Sequence, residues 1–270
     1  MASVIARIIV AALAAGAVNA LPQPVPSSAT TTLQPVPSTT AAPAPAQTDF
    51  SALISELQDA PTAIDRYKKL FTSGGALLPR DELQKRVVFD FNGATPANGA
   101  KGGALKAANI ATFPVLTSLG ISTTMGFLNA CGINTPHTHP RATEFLTVVD
   151  GALDFGFIVE NGLVAPGNSA EVTGHIARFQ GAVFPVGSIH YQFNNQCEPA
   201  TFVASLNNED PGTSQVAQNF FGLNGGVVAA TLGFPDALDG ADIESFRALI
   251  PANVALDVEG CLARCGIPKR

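Results

Sequence analysis

From Arg86 to Asn207 the chain is a succession of short β-rich segments: RVVFDF, ATFPVLTSLGISTTMGFLNA, TEFLTVV, ALDFGFIV, AEVTGHIARF, AVFPVG, IHYQFNN and ATFVASLN. Gly, Pro, Asn and Asp separate them. Short strands punctuated in this way predict an all-β sandwich or barrel, because each strand is half apolar and must bury one face against another sheet. With 270 residues, 46% of them hydrophobic, the chain can supply one sizeable core. Its net charge of −6 argues against a nucleic-acid partner. There is no internal repeat, phosphate loop or nucleophile elbow.

The ends read differently. MASVIARIIVAALAAGAVNA (1–20) has one early charge, Arg7, an apolar run too short to span a bilayer comfortably, and small residues at Val18 and Ala20, so it reads as a secretory signal peptide. Residues 21–47 carry no charge and many prolines and hydroxyls, the composition of a stiff spacer suited to O-glycosylation. In 48–88, DFSALISELQ and APTAIDRYKKLF have helical spacing, the second helix beginning near Pro61. In 225–270, ADIESFRALI and NVALDVEGCLARCG return to that spacing. The expectation is one all-β domain over 89–224 with helical flanks.

Four histidines occur in the chain, and His137 and His139 lie one residue apart. On a strand, residues i and i+2 share a face, so these imidazoles can converge on one cation. Glu144 would fall on the opposite face of a continuous strand, but Pro140 interrupts the ladder and lets it open the next strand pointing inward. Asp150-Gly151 is a hairpin signal between TEFLTVV and ALDFGFIV. A further ligand must come from His175 or His190. Three imidazoles and a carboxylate suit Mn, Fe, Zn, Ni or Cu. On residues alone, a metal site and a strand with two surface imidazoles stand as equal readings.

The stretch HTHPRATE, followed six residues later by Gly151, resembles the first motif of germins and germin-like cupins, and FPVGSIHYQFN resembles their second. ANIATFPVLTSLGIS is also germin-like. Together with the leader, the chain is most similar to the fungal and slime-mould germin-like proteins of the spherulin type, over roughly Phe89 to Asn224. The resemblance implies a jelly-roll barrel with His137, His139, Glu144 and His190 around a metal, most often manganese, with iron or another divalent transition metal as alternatives. His175 matches no ligand position. It further implies homo-oligomers, commonly hexamers built through barrel edges and C-terminal helices such as 242–263. Where the family's two motifs have a glycine, this chain has Cys131 and Phe179. Oxalate-oxidising members hold substrate with two asparagines. One corresponds to Asn134; the other falls at Thr124, which disfavours oxalate.

The expected function is therefore a secreted, manganese-binding oxidoreductase acting on superoxide or a small acid, with Asn134 and Asn194 as polar groups beside the ion. The alternative is a non-catalytic extracellular protein of a cell wall or spore, projected by its spacer into the matrix.

The resemblance bears on the cysteines as well. Four in a secreted chain suggest two disulfides. In a germin-like barrel the strands of His137 and His190 are antiparallel neighbours. Cys131 is six residues before His137 and Cys197 seven after His190, so the two should lie nearly opposite. The expected pairs are Cys131–Cys197 and Cys261–Cys265. The second requires the helix to distort or to end at Gly266; the alternative is a tail pair bridging to the barrel.

Overall fold

A computed structural model of the chain describes residues 48–233, 249–251, 253–256 and 258–268. The signal-peptide and spacer segments, and most of ADIESFRALI, lie outside the described residues. The first elements are α1 (Ser51–Gln58), α2 (Ala63–Phe71), the short hairpin β1 (Thr72–Ser73) and β2 (Ala76–Leu77), and α3 (Arg80–Val87). Thr62 starts α2 by accepting the Asp65 amide on its hydroxyl. The strand expected at RVVFDF does not form: α3 takes in Arg86 and Val87, and 88–91 follow it without regular structure. Its sequence RDELQKRV follows Pro79, has acidic residues in its first turn and basic ones in its last, and leaves no residue buried.

The barrel strands are β3 (Gly103–Ala108), β4 (Ser122–Leu128), β5 (Ile133–Thr138), β6 (Glu144–Asp150), β7 (Ala152–Ile158), β8 (Val172–Ala177), β9 (Gly181–Phe184), β10 (Ile189–Phe193), β11 (Ala200–Leu206) and β12 (Ser214–Gln215). A 3-10 turn, Pro114–Leu116, interrupts the expected run before β4. α4 (Val216–Phe221), α5 (Gly225–Leu232) and α6 (Glu259–Cys265) follow. The strands form two antiparallel five-stranded sheets, ordered β12-β5-β10-β7-β8 and β3-β4-β11-β6-β9, packed as a jelly roll. No helix among the described residues is long and apolar enough to cross a membrane.

Two-residue alternation fills the interior. In β6, Glu144, Leu146 and Val148 are buried while Phe145 is 53% exposed. In β11, Ala200, Phe202, Ala204 and Leu206 face in. Leu128, Leu146, Leu153, Phe184 and Phe202 make one core. Burial of each large side chain contributes about 1.5–3 kcal/mol. Gly126 is required there: a Cβ would lie 2.1 Å from the Phe202 ring, which lies across that strand.

The turn at Asp150-Gly151 forms, with Gly151 at φ 75°, but it does not close a paired hairpin. β6 pairs with β11 and β9, and β7 with β10 and β8, so the turn is a corner between sheets. At the two positions where the resembled family has glycine, Cys131 and Phe179 keep the left-handed backbone, at φ 60° and 65°.

The disulfides differ from the expectation. Cys131 pairs with Cys261, and Cys197 with Cys265. β5 and β10 are indeed antiparallel neighbours, but their register slips: His190 faces His137, whereas Gln192 faces Asn134. The slip sets the Cys131 amide against the Gln196 carbonyl and takes its side chain away from Cys197. α6 stays regular and ends at Gly266, φ 64°, so Cys261 and Cys265 share one face with their sulfurs 4.0 Å apart. Each reaches a different barrel cysteine, and the helix is riveted over the end of β10, where Leu262, Phe193 and Ile267 pack around the first bridge.

Candidate metal centre

The inward parity of three strands brings His137 (β5), Glu144 (β6) and His190 (β10) together, and His139 joins them from just past the end of β5. All four are buried, and one ligand atom from each lies within 4.8 Å of the others. That is the span of donors around a single ion, where bonds of about 2.1 Å set neighbouring donors about 3 Å apart.

Each imidazole is oriented by the main chain. Nδ1 of His137 donates to the Thr135 carbonyl at 2.8 Å, Nδ1 of His139 to Gly212 at 2.6 Å, and Nδ1 of His190 to Ser188 at 3.0 Å. These bonds occupy Nδ1 and aim each Nε2 at the centre, the support a metal-ligating histidine needs; without a metal, Nε2 of His139 donates to Glu144 instead. His139 Nε2 is 2.9 Å from Glu144 Oε2, and His190 Nε2 is 3.6 Å from it. The His190 ring stacks on Phe184 at 4.6 Å, which holds its plane. The loop that carries Gly212 is itself held: Arg141 donates through Nε to the Asp210 carbonyl, and its amide donates to that of Pro211.

The electrostatics agree with a cation site. Burial and the neighbouring His190 lower the His137 imidazole to about 3, so it is neutral over the ordinary pH range. Burial opposes ionisation of Glu144, but its contacts with His139 and His190 outweigh burial and hold the carboxyl down at about 2. Burial likewise opposes the charged form of His139, yet the bond to Glu144 leaves its pKa raised. His190 Nε2 has no hydrogen-bond partner although it is buried. A buried lone pair beside a buried carboxylate, with two more imidazole nitrogens, fits a divalent transition metal.

Beside the donors is a cavity of about 150 Å³. Leu105, Phe202, Ala204 and Leu206 form an apolar wall; Thr124, Asn134, Thr213 and Asn253 supply polar atoms. No Lys or Arg lines it among the described residues.

Asn134 is therefore at the cavity, as expected, with its amide donating to Gln192 Oε1 at 2.6 Å. Asn194 is not. Its Nδ2 bonds the carbonyls of Leu128, Asn129 and Glu198, and its Oδ1 accepts the Gln196 amide. It shares the parity of His190 but lies a further turn of the pleat from the ion end, where it ties strand ends together. Gln192, two residues from His190 on the same face, is the residue of β10 that meets Asn134. Gln192 is fully buried, and its Nε2 and Asn134 Oδ1 both lack partners. The i+2 spacing from His190 was the available signal for it. His175 lies on the outer surface, bonded to Asp154 at 2.7 Å.

A jelly roll built around three inward histidines and one glutamate has the architecture of a single-ion barrel. The cupin family model matches residues 89–235. Spherulin-1A of Physarum polycephalum is 37% identical over 216 residues, covering 79% of each chain. Germin-like protein 1-3 of Oryza sativa subsp. japonica is 34% identical over 162 residues, 59% of this chain and 70% of that one. A recombinant oxalate oxidase solved with glycolate is 25% identical with a TM-score of 0.50, covering 66% of this chain and 88% of that chain. The chain belongs to the cupin family, in the germin-like group that includes the spherulins.

Proposed function

We propose that this chain is a secreted germin-like cupin that holds one divalent transition metal, manganese foremost, through His137, His139, Glu144 and His190, and serves as an oxidoreductase for superoxide or a small acid. The observation that carries the reading is the set of three Nδ1–carbonyl bonds, which turn three Nε2 atoms toward one buried carboxylate. Such an ion, when bound, supplies a Lewis-acid and one-electron redox centre. Three neutral imidazoles and one carboxylate leave a divalent ion with residual positive charge, which attracts an anion into the cavity.

The protein's own groups then set what enters. Leu105, Phe202 and Leu206 exclude bulk water from one side. Asn134 and Thr124 bring polar atoms to the cavity wall, and Gln192 accepts the Asn134 amide at 2.6 Å and so fixes its orientation. With no Lys or Arg on the cavity among the described residues, the arrangement favours a monoanion over a dianion. Two disulfides support an oxidising, extracellular compartment. Phe145 and Val183, a cross-strand pair on the outer face and each about half exposed, support self-association, which light scattering on the purified protein measures; a monomer there refutes it.

Elemental analysis and a superoxide assay test the centre. Wild type and His175→Ala should carry about one metal per chain, whereas His137→Ala and His190→Ala should carry none while still folding. Full metal content in either of the latter sinks the ligand assignment. Full metal without turnover of superoxide or small acids would leave the ion a structural role.

A further inference from the structure

A groove of about 460 Å³ lies outside the barrel, against the N-terminal helices, and belongs to no part of the metal centre. Its walls come from separate elements: Phe50 and Leu53 at α1, Leu70 in α2, Phe89 after α3, and Phe113 and Val115 at the 3-10 turn. Phe89 is held edge-on to Phe113 at 5.4 Å and tilted against Phe91 at 4.8 Å. The volume and the apolar lining are those of a small-molecule pocket.

One rim is polar, and its charge is positive. Lys85 and Arg86 come from the last turn of α3. Arg86 donates one Nη1 bond to the Leu70 carbonyl, while Lys85 has no carboxylate within ion-pairing distance among the described residues. Asp90, the rim's acidic group, is turned to the amide and side chain of Asn92 at 2.9 and 2.7 Å. An extended peptide would set its main-chain groups against phenylalanine and leucine walls, with little to bond them. A compact apolar body with one negative head satisfies both the walls and the rim.

We propose that this groove binds a small amphipathic anion, with an aromatic or branched aliphatic body between the phenylalanines and a carboxylate or sulfonate head at Lys85. The test uses the full chain and two probes of like ring skeleton: anionic 8-anilinonaphthalene-1-sulfonate and neutral N-phenyl-1-naphthylamine. The chain has no Trp, so probe fluorescence is read against a low background. Both probes should bind wild type saturably, one per chain. Val88→Glu should abolish both; Val88 lines the groove but is 56% exposed, so folding does not depend on it. Lys85→Glu should weaken the anionic probe by about fivefold and leave the neutral one unchanged. Metal content should be the same in all three proteins. Absence of saturable binding, binding that survives Val88→Glu, or equal loss of both probes in Lys85→Glu overturns the proposal. So does a groove closed by a second copy, which would show as a change in subunit number on Val88→Glu with no probe bound to wild type.

Discussion

Thr124→Asn should raise oxalate turnover of the metal-loaded protein and leave superoxide activity nearly unchanged. Thr124 lies in β4 between Ala107 of β3 and Ala204 of β11, and all three line the cavity. Two alanine neighbours leave room for the longer amide. A threonine on a strand replaced by asparagine there should lower stability by no more than about 1 kcal/mol, the span of the strand propensity scale. The gain in rate follows from the donors. A dianion bound through one end needs preorganised donors for its distal oxygens. The Asn134 amide nitrogen is committed to Gln192, and among the described residues no Lys or Arg lines the cavity, so wild type is short of such donors. Supplying one preorganised donor is worth on the order of a hundredfold, or about 2.7 kcal/mol. Oxygen uptake with oxalate reads the gain; superoxide dismutation, metal content and a thermal melt run in parallel. Rapid oxalate oxidation by wild type, with no increase on substitution, would refute the reasoning.

Non-reducing peptide mapping should recover Cys131 linked to Cys261 and Cys197 to Cys265, with sequence separations of 130 and 68 residues. In the chain-entropy picture these closures are worth about 5 and about 4 kcal/mol, so reduction should shift the denaturation midpoint by a large margin. Phe179→Gly should raise stability by about 0.5–1 kcal/mol in a denaturant titration, since it relieves the left-handed backbone and loses only the exposed stacking of Arg178 on the ring. In metal-free protein the His137 ring should show no NMR titration between pH 5 and 8, because its folded pKa is lowered to about 3. Its linkage has a definite sign: the unfolded chain takes up a proton below the ordinary histidine value of 6.5 that folded His137 refuses, so this group's contribution is present above 6.5 and is lost as pH falls toward 3.

The centre was legible in the sequence because its information is local. His137 and His139 are two residues apart on a strand, Pro140 permits the change of face before Glu144, and His190 sits after a Pro-Val-Gly turn. What the local pattern does not carry is strand pairing and register. Asp150-Gly151 announces a turn, but which sheet each flanking strand joins is decided by the partners β11 and β10, far along the chain. The cysteine pairing required a register slip that no residue in β5 or β10 declares. RVVFDF has the composition of a strand, but the charged turn RDELQK carries α3 through Arg86 and Val87, and 88–91 find no strand partner.

Asn194 and Gln192 make the same point at the scale of one strand. Both have the parity of His190, so alternation alone sends both inward. Distance along the barrel separates them. Two residues, about 7 Å, keep Gln192 beside Asn134; four residues, about 13 Å, carry Asn194 past the cavity to the carbonyls of Leu128 and Asn129. There every polar atom of its amide is consumed in holding β4 to β10, and nothing is left for a ligand. Parity assigns a face, and the rise per residue assigns a depth. A residue reaches the centre only where both agree, and past His190 Gln192 comes near enough to hold Asn134 at the cavity wall, while Asn194 does not.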